Sequence, residues 1–185
     1  MTSTTASIAG RRLPTDKILV GISFVLALAV IAGAWGSQIF GGLVPCELCL
    51  AQRQAYYWGL PLLALILIFW NRLPLTVWYV AMAAAALIFV WSAYMGGYHA
   101  GVEWGFWPGP SACTGTGDGL SFNDLSSGNI EKVIPCDQVQ WRDPILKLSL
   151  AGYNAILSVV LVAVLVAAIV VQARHRRSSG NSTRR

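Results

Sequence analysis

The chain has 185 residues, of which 56% are hydrophobic and 11% are charged, and its mean hydropathy is +0.59. This composition excludes an ordinary soluble domain and indicates an integral membrane protein embedded in a lipid bilayer. The net charge of +5 does not indicate a nucleic-acid partner, because nine of the thirteen basic residues flank apolar runs, where membrane topology explains them.

Four apolar runs approach or exceed the ~20 residues that a helix needs to cross the hydrocarbon core. They cover about residues 18–35, 50–70, 75–95 and 148–171. We therefore predict an all-α membrane protein, a four-transmembrane-helix bundle over residues 17–171. Residues 1–16 are expected to form a disordered tail, and residues 172–185 a basic tail. A cleaved signal peptide is the alternative for the first run, but that run lacks a clear small-x-small cleavage site.

The charged residues predict which side of the membrane each segment faces. The nine basic residues lie before the first run, between the second and third, or after the fourth, and the positive-inside rule makes that side cytoplasmic. Seven of the eight acidic residues lie on the other side, with only Asp16 inside. We expect cytoplasmic N and C termini and two outward loops, at about residues 36–49 and 96–147. All four cysteines lie in these loops, where two disulfides are expected.

A pair of cysteines stands where the second run begins, in the stretch Pro45-Cys46-Glu47-Leu48-Cys49-Leu50-Ala51-Gln52-Arg53. The free N–H groups and the positive dipole end of a helix that starts near Cys49 favour the thiolate, which is the reactive form. Arg53 follows four residues later on the same face, where its guanidinium can stabilise a thiolate or bind an acceptor ligand. This arrangement suits electron-pair transfer.

Other interpretations of this stretch stay open at this point. The pair can be a structural disulfide, half of a zinc site or a chance occurrence. Zinc is disfavoured because Cys113 and Cys136 are far apart and the two histidines lack ligand spacing, so no metal is expected. Arg53 alone can be an interface anchor. Its spacing from Cys49 favours a functional role.

Residues 96–147 form the only long polar segment, which is much longer than a connection between adjacent spans requires. Its length indicates a function. Cys113 lies on a Gly-rich arm of this segment, and Cys136 lies in Pro135-Cys136-Asp137. Between them, residues 120–133 fit a short amphipathic helix on the bilayer surface.

A few polar residues lie near the outer ends of the third and fourth runs. His99 and Glu103 are four residues apart and can share a helical face. They can take part in ligand protonation, or they can be a solvated helix end. Tyr153, Asn154 and Ser158 can border a pocket, although polar packing between helices is the favoured explanation.

The cysteine stretch, together with Trp107-Pro108-Gly109-Pro110 before Cys113 and Pro135-Cys136-Asp137 before Trp141, resembles the DsbB family of disulfide bond formation proteins. These are quinone-dependent thiol oxidases of the bacterial inner membrane. The resemblance covers about residues 17–171 and implies that the redox site faces the periplasm.

The resemblance also implies a reaction sequence. A reduced periplasmic oxidase of thioredoxin fold, resembling DsbA, attacks Cys113 of a Cys113–Cys136 disulfide. Cys136 then attacks Cys46 and frees Cys49, which faces a membrane quinone that Arg53 hydrogen-bonds. The four cysteines are thus the implied catalytic residues.

The remaining expectations concern the quinone, the assembly and the rival functions. His99 is carried over as a further quinone neighbour, and either ubiquinone or menaquinone suits the pattern. A monomer is the default. One alternative is a non-catalytic membrane scaffold whose two disulfides staple the outer loops. A vitamin-K-epoxide-reductase-like enzyme is another, but there the Cys-x-x-Cys pair usually lies on a late helix.

Overall fold

The structure, a computed structural model, describes residues 14–110 and 135–182. Within these residues it consists of four α-helices, which are α1 (Pro14–Ile39), α2 (Glu47–Ile68), α3 (Leu75–Glu103) and α4 (Leu150–Ser182). The all-α prediction is confirmed for this part of the chain. Cys113 and the surface helix predicted for residues 120–133 lie outside the described residues.

Three of the four helices are long and apolar enough to cross a membrane, namely the segments Thr15–Ile39, Leu75–Glu103 and Leu150–Ser178. The helix α2 does not reach this standard. Polar Gln52, Arg53 and Gln54 near its start lower its hydropathy. The chain is thus a multi-pass membrane protein, while the crossing of α2 and the orientation of the loops stay predictions.

The helices extend beyond the predicted spans. α1 begins at Pro14, inside the segment predicted to be a disordered tail, and α4 runs on to Ser182, through most of the predicted basic tail. α3 ends at Glu103 rather than near residue 95. Polar residues at these ends continue the helices because nothing in the sequence there breaks the backbone hydrogen bonding. His99 and Glu103 consequently lie on the last turns of α3.

The helices pack in cyclic order, since α1 and α3 each contact both α2 and α4. Their shared interior is apolar and includes fully buried Trp78, Phe89, Leu63 and Leu161. Tyr56 packs edge-on against Phe89 with ring centroids 5.7 Å apart. This core fixes the helices against one another and holds the site at one end of the bundle.

Gly96 allows α3 and α4 to approach closely near that end. A Cβ atom at this position would lie 2.8 Å from the backbone nitrogen of Ala155 and 3.0 Å from Nδ2 of Asn154. Only glycine therefore fits without a shift of one helix. The close approach brings Asn154 on α4 within reach of polar side chains on α2 and α3.

Candidate redox site

Cys46 and Cys49 lie at the N terminus of α2, as the sequence predicts. Cys46 is the N-cap residue, with φ −78° and ψ 172°, and its sulfur accepts a hydrogen bond of 3.3 Å from the backbone N–H of Cys49. It therefore satisfies one of the free helical N–H groups, the task that a serine usually performs. Both cysteines are free thiols, and their sulfur atoms lie 2.6 Å apart.

The two thiols differ in their surroundings. Cys46 is buried, with 5% of its surface exposed, whereas Cys49 is half-buried. The hydrogen bond with Cys49, followed by burial, raises the pKa of Cys46 above its ordinary value. Cys49 lies in the first turn of α2, where the helix dipole favours an anion. Of the pair, Cys46 therefore holds its proton and Cys49 is the better placed to be the thiolate.

Arg53 is held inside the bundle by α1. Its guanidinium donates hydrogen bonds of 2.7 Å to Oε1 of Gln38 and 2.9 Å to the carbonyl oxygen of Ala34. Its Cζ atom lies 5.3 Å from the centroid of the Trp35 ring, within cation–π range. With 8% exposure, Arg53 is not an interface anchor that extends toward water. Its charge is directed to the interior.

A cavity of about 270 Å³ lies between the helices and takes in Cys49 and Arg53 together. Most of its wall is apolar. The polar side chains that line it are Cys49, Gln52, Arg53, Tyr56, His99 and Asn154, with Ser37, Gln140 and Tyr153. An apolar cavity with a few polar groups is the usual form of a small-molecule site.

His99 reaches the dithiol from α3. It is 3% exposed, and its Nε2 atom lies 3.7 Å from the sulfur of Cys46 and 3.9 Å from Oε1 of Glu103. On its other side, Nε2 of Gln52 lies 2.8 Å from Nδ1 of His99. In this arrangement the amide donates to Nδ1, so a neutral ring carries its proton on Nε2, toward Cys46. His99 and Glu103 share a helical face, but they are buried rather than solvated.

A buried hydrogen-bond network continues from Gln52 across three helices. Asn154 donates to Oε1 of Gln52 over 2.7 Å and accepts a bond of 2.6 Å from the hydroxyl of Tyr56. Ser158 lies 3.1 Å from the Tyr56 hydroxyl and donates to Ser92 over 2.9 Å. Such satisfied buried networks hold side chains in one orientation. The polar residues of α4 therefore serve both packing and the cavity wall.

The segment before α4 closes the site from outside. Cys136 is disulfide-bonded, 1% exposed and packed in the same buried cluster as Cys46, with Leu48 and Val102. The pairing of Cys136 with Cys113 stays a prediction, because Cys113 lies outside the described residues. The structure thus brings a loop cysteine beside the helical pair.

Gln140 connects the two loops and was not predicted from the sequence. Its side-chain amide accepts a bond of 3.2 Å from the backbone N–H of Val44 and donates one of 2.6 Å to the Val44 carbonyl oxygen. This paired contact fixes the backbone two residues before Cys46. No periodic pattern marks Gln140, since it lies in an irregular segment.

The fold and this site define a multi-pass helical membrane protein with a thiol pair beside a ligand-sized cavity. A family profile described as disulfide bond formation protein DsbB matches residues 16–168 of the chain. The chain therefore belongs to the DsbB family. Members of this family act in disulfide bond formation in the membrane and are in general quinone-dependent disulfide oxidoreductases. No match was found among curated proteins or among solved structures.

Proposed function

We propose that this protein reoxidises a DsbA-like, thioredoxin-fold oxidase in the periplasm and passes the electrons to quinone in the bacterial inner membrane. The observation that carries the proposal is the placement of Cys49 and Arg53 on one wall of the same cavity, one helical turn apart. The cavity joins a thiol to a fixed positive charge in apolar surroundings, where electrostatic interactions are strong.

The donor set suits a quinone ring. Arg53 would hold a carbonyl oxygen through its guanidinium, and His99 and Tyr56 are further hydrogen-bonding groups of the cavity wall. The apolar part of the wall, which includes Ile31 and Leu157, suits the ring and the start of its tail. When bound, the quinone supplies a two-electron acceptor. The protein supplies the position and charge of the groups around it.

The cysteines would pass electrons by thiol–disulfide exchange. A thiolate of the reduced partner attacks Cys113, forms a mixed disulfide and frees the Cys136 thiolate. Cys136 then attacks Cys46 of a Cys46–Cys49 disulfide, and the Cys49 thiolate leaves. Each exchange forms one S–S bond and breaks one. The partner's second thiolate then closes the partner's own disulfide and frees Cys113, which attacks Cys136 and frees Cys46. No other oxidant is needed until the reduced helical pair gives its two electrons to quinone. The contact cluster of Cys136 with Cys46 supports this route.

The proposal is tested by quinone reduction in nanodiscs, with a reduced DsbA-type oxidase as electron donor and ubiquinone or menaquinone as acceptor. Quinone absorbance is followed for the wild type, Cys49→Ala and Cys113→Ala, with the exposed neighbour variant Glu47→Gln as a control. We expect both cysteine variants to lose reduction and the control to retain it. If the wild type reduces neither quinone, the scaffold becomes the better account.

A further inference from the structure

A second, smaller cavity of about 40 Å³ lies beside the dithiol, and Arg53 does not line it. Four side chains with metal-binding atoms line it, namely Cys46, Cys49, His99 and Glu103. Its volume is enough for a single ion or water molecule and too small for a ring. The quinone proposal makes no use of Glu103 or of this cavity.

The ligand atoms of the first three residues lie within 4.8 Å of one another. In a tetrahedral zinc site, with Zn–S near 2.3 Å and Zn–N near 2.05 Å, a sulfur and a nitrogen are about 3.6 Å apart. The distance from the Cys46 sulfur to Nε2 of His99 is 3.7 Å. The sulfur atoms of Cys46 and Cys49, now 2.6 Å apart, would have to separate to about 3.8 Å. Rotation of the half-buried Cys49 side chain can supply that change.

Glu103 is the candidate fourth ligand. Its side chain is 6% exposed, its Oε1 atom lies 3.9 Å from Nε2 of His99, and its Oε2 atom is buried without a hydrogen-bond partner. Ser149 hydrogen-bonds the Glu103 side chain and Arg142 interacts with its charge, but Oε2 keeps no hydrogen-bond partner. A buried carboxylate oxygen without a partner is costly, and a cation would satisfy it.

We propose that the reduced protein binds one Zn²⁺ ion through Cys46, Cys49 and His99, with Glu103 as the fourth ligand. Two thiolates, an imidazole and a carboxylate form a donor set that zinc accepts in tetrahedral geometry. Binding displaces the thiol protons and moves no electrons, so no oxidant or reductant takes part. A Cys46–Cys49 disulfide offers no thiolate, and the site therefore exists only in the reduced state.

The buried hydrogen-bond network can stabilise the tautomer of His99 that binds zinc. Zinc needs the Nε2 lone pair, which places the ring proton on Nδ1 and requires an acceptor there. A half-turn of the Gln52 and Asn154 amides would present Oε1 of Gln52 to Nδ1 and Oδ1 of Asn154 to Nε2 of Gln52. Nδ2 of Asn154 would then donate to the Tyr56 hydroxyl, which can donate to Ser158. The contacts that join these side chains are kept with donor and acceptor exchanged, at the cost of the hydrogen bond from Nε2 of Gln52 to the carbonyl oxygen of Leu48.

The test is titration of the purified, reduced full chain with Co²⁺, which reports thiolate ligands by charge-transfer absorption, followed by displacement with Zn²⁺. The variant Cys113→Ala/Cys136→Ala, measured beside the wild type, lacks the loop thiols, so any Co²⁺ bound through thiolate must be bound by Cys46 and Cys49. We expect one Co²⁺ per chain in the reduced protein and none after Cys46 and Cys49 are oxidised to the disulfide. This readout is independent of quinone, so its failure is separate from failure of the proposed function.

Variants of the proposed ligands and of their neighbours test each part of the site. Glu103→Gln should weaken Zn²⁺ binding and alter the Co²⁺ ligand-field bands, whereas Glu47→Gln, an exposed carboxylate beside the pair, should change neither. Gln52→Leu should weaken binding about 10- to 100-fold through His99. Retained thiolate charge transfer when Cys46→Ser/Cys49→Ser is added to Cys113→Ala/Cys136→Ala, or its absence from the reduced wild type, would overturn the proposal. So would unchanged binding and spectra in Glu103→Gln.

Discussion

Asn154 links α4 to the polar side chains of α2, and its replacement by leucine gives a quantitative test of the buried network. Leucine keeps the number and branching of the side-chain heavy atoms, but removes both the donor to Gln52 and the acceptor for Tyr56. Asn154 is 9% exposed, so water does not readily replace it. The variant therefore leaves polar atoms of Gln52 and Tyr56 to be satisfied by other means.

The expected loss of stability follows from what each partner retains. Oε1 of Gln52, in a residue 6% exposed, loses the Asn154 donor, and an unsatisfied buried polar atom costs about 1–3 kcal/mol. The hydroxyl of Tyr56 still has Ser158 at 3.1 Å and loses only one ordinary hydrogen bond, about 0.5–1.5 kcal/mol. Asn154→Leu should lower the free energy of unfolding by about 1.5–4.5 kcal/mol as the sum of these two contributions.

The assay is denaturant unfolding in detergent micelles for Asn154→Leu, Gln52→Leu and the double variant. Because the double variant removes both partners of one bond, it should be destabilised by at least about 1 kcal/mol less than the sum of the single changes. Asn71→Leu, at an exposed turn, is the control and should stay within about 0.5 kcal/mol of the wild type. Additivity within about 0.5 kcal/mol would refute the linkage between the two amides.

Three further substitutions test other parts of the site. Arg53→Met should raise the KM for quinone about 10- to 100-fold, because a charge-assisted hydrogen bond contributes about 1.5–3 kcal/mol; an unchanged KM in steady-state quinone reduction would contradict this role. Gln140→Ala should speed amide hydrogen exchange at Val44 and alkylation of Cys46, since the contact that fixes this backbone is removed. Unchanged exchange at Val44 would show that Gln140 does not fix this backbone. Gly96→Ala should cost about 1–3 kcal/mol in unfolding free energy, because its Cβ would meet the α4 backbone. Gly97→Ala is its matched control, with nothing within 4 Å of the added atom, and equal effects of the two changes would refute the packing argument.

The local part of the site could be predicted from the sequence because it lies within one short stretch. Cys49 and Arg53 are four residues apart on a helix, and this spacing alone places them on one face. The structure has this helix begin at Glu47 and puts both side chains on the cavity wall. Helical periodicity is a local rule, and it holds here.

The long-range part could not be predicted in the same way. His99 lies 53 residues beyond Cys46, and its contact with the thiol depends on how α3 packs against α2. The sequence offered two explanations for the polar residues of α4, and only the close approach at Gly96 shows that Asn154 reaches Gln52. Gln140 lies in an irregular loop, where no periodicity points to a partner.

Hydropathy does not identify α2 as clearly as it identifies the other helices. The sequence predicts a second span at about residues 50–70, but α2 contains no stretch as apolar as those of the other three helices, because the site occupies its first turns. Arg53 and Gln52 are buried there by partners on α1, α3 and α4 rather than by lipid. A functional site inside a helical bundle thus weakens the composition signal by which spans are recognised.

The most direct test of the central claim is a single turnover between the reduced helical pair and quinone, without any partner protein. The Cys113→Ala/Cys136→Ala variant is reduced, freed of reductant and mixed with quinone in nanodiscs, and the Cys46–Cys49 disulfide is counted by peptide mass analysis as quinone absorbance falls. We expect one disulfide formed for each quinone reduced. Quinone that stays oxidised beside a reduced pair, in a variant whose fold is intact, would contradict it.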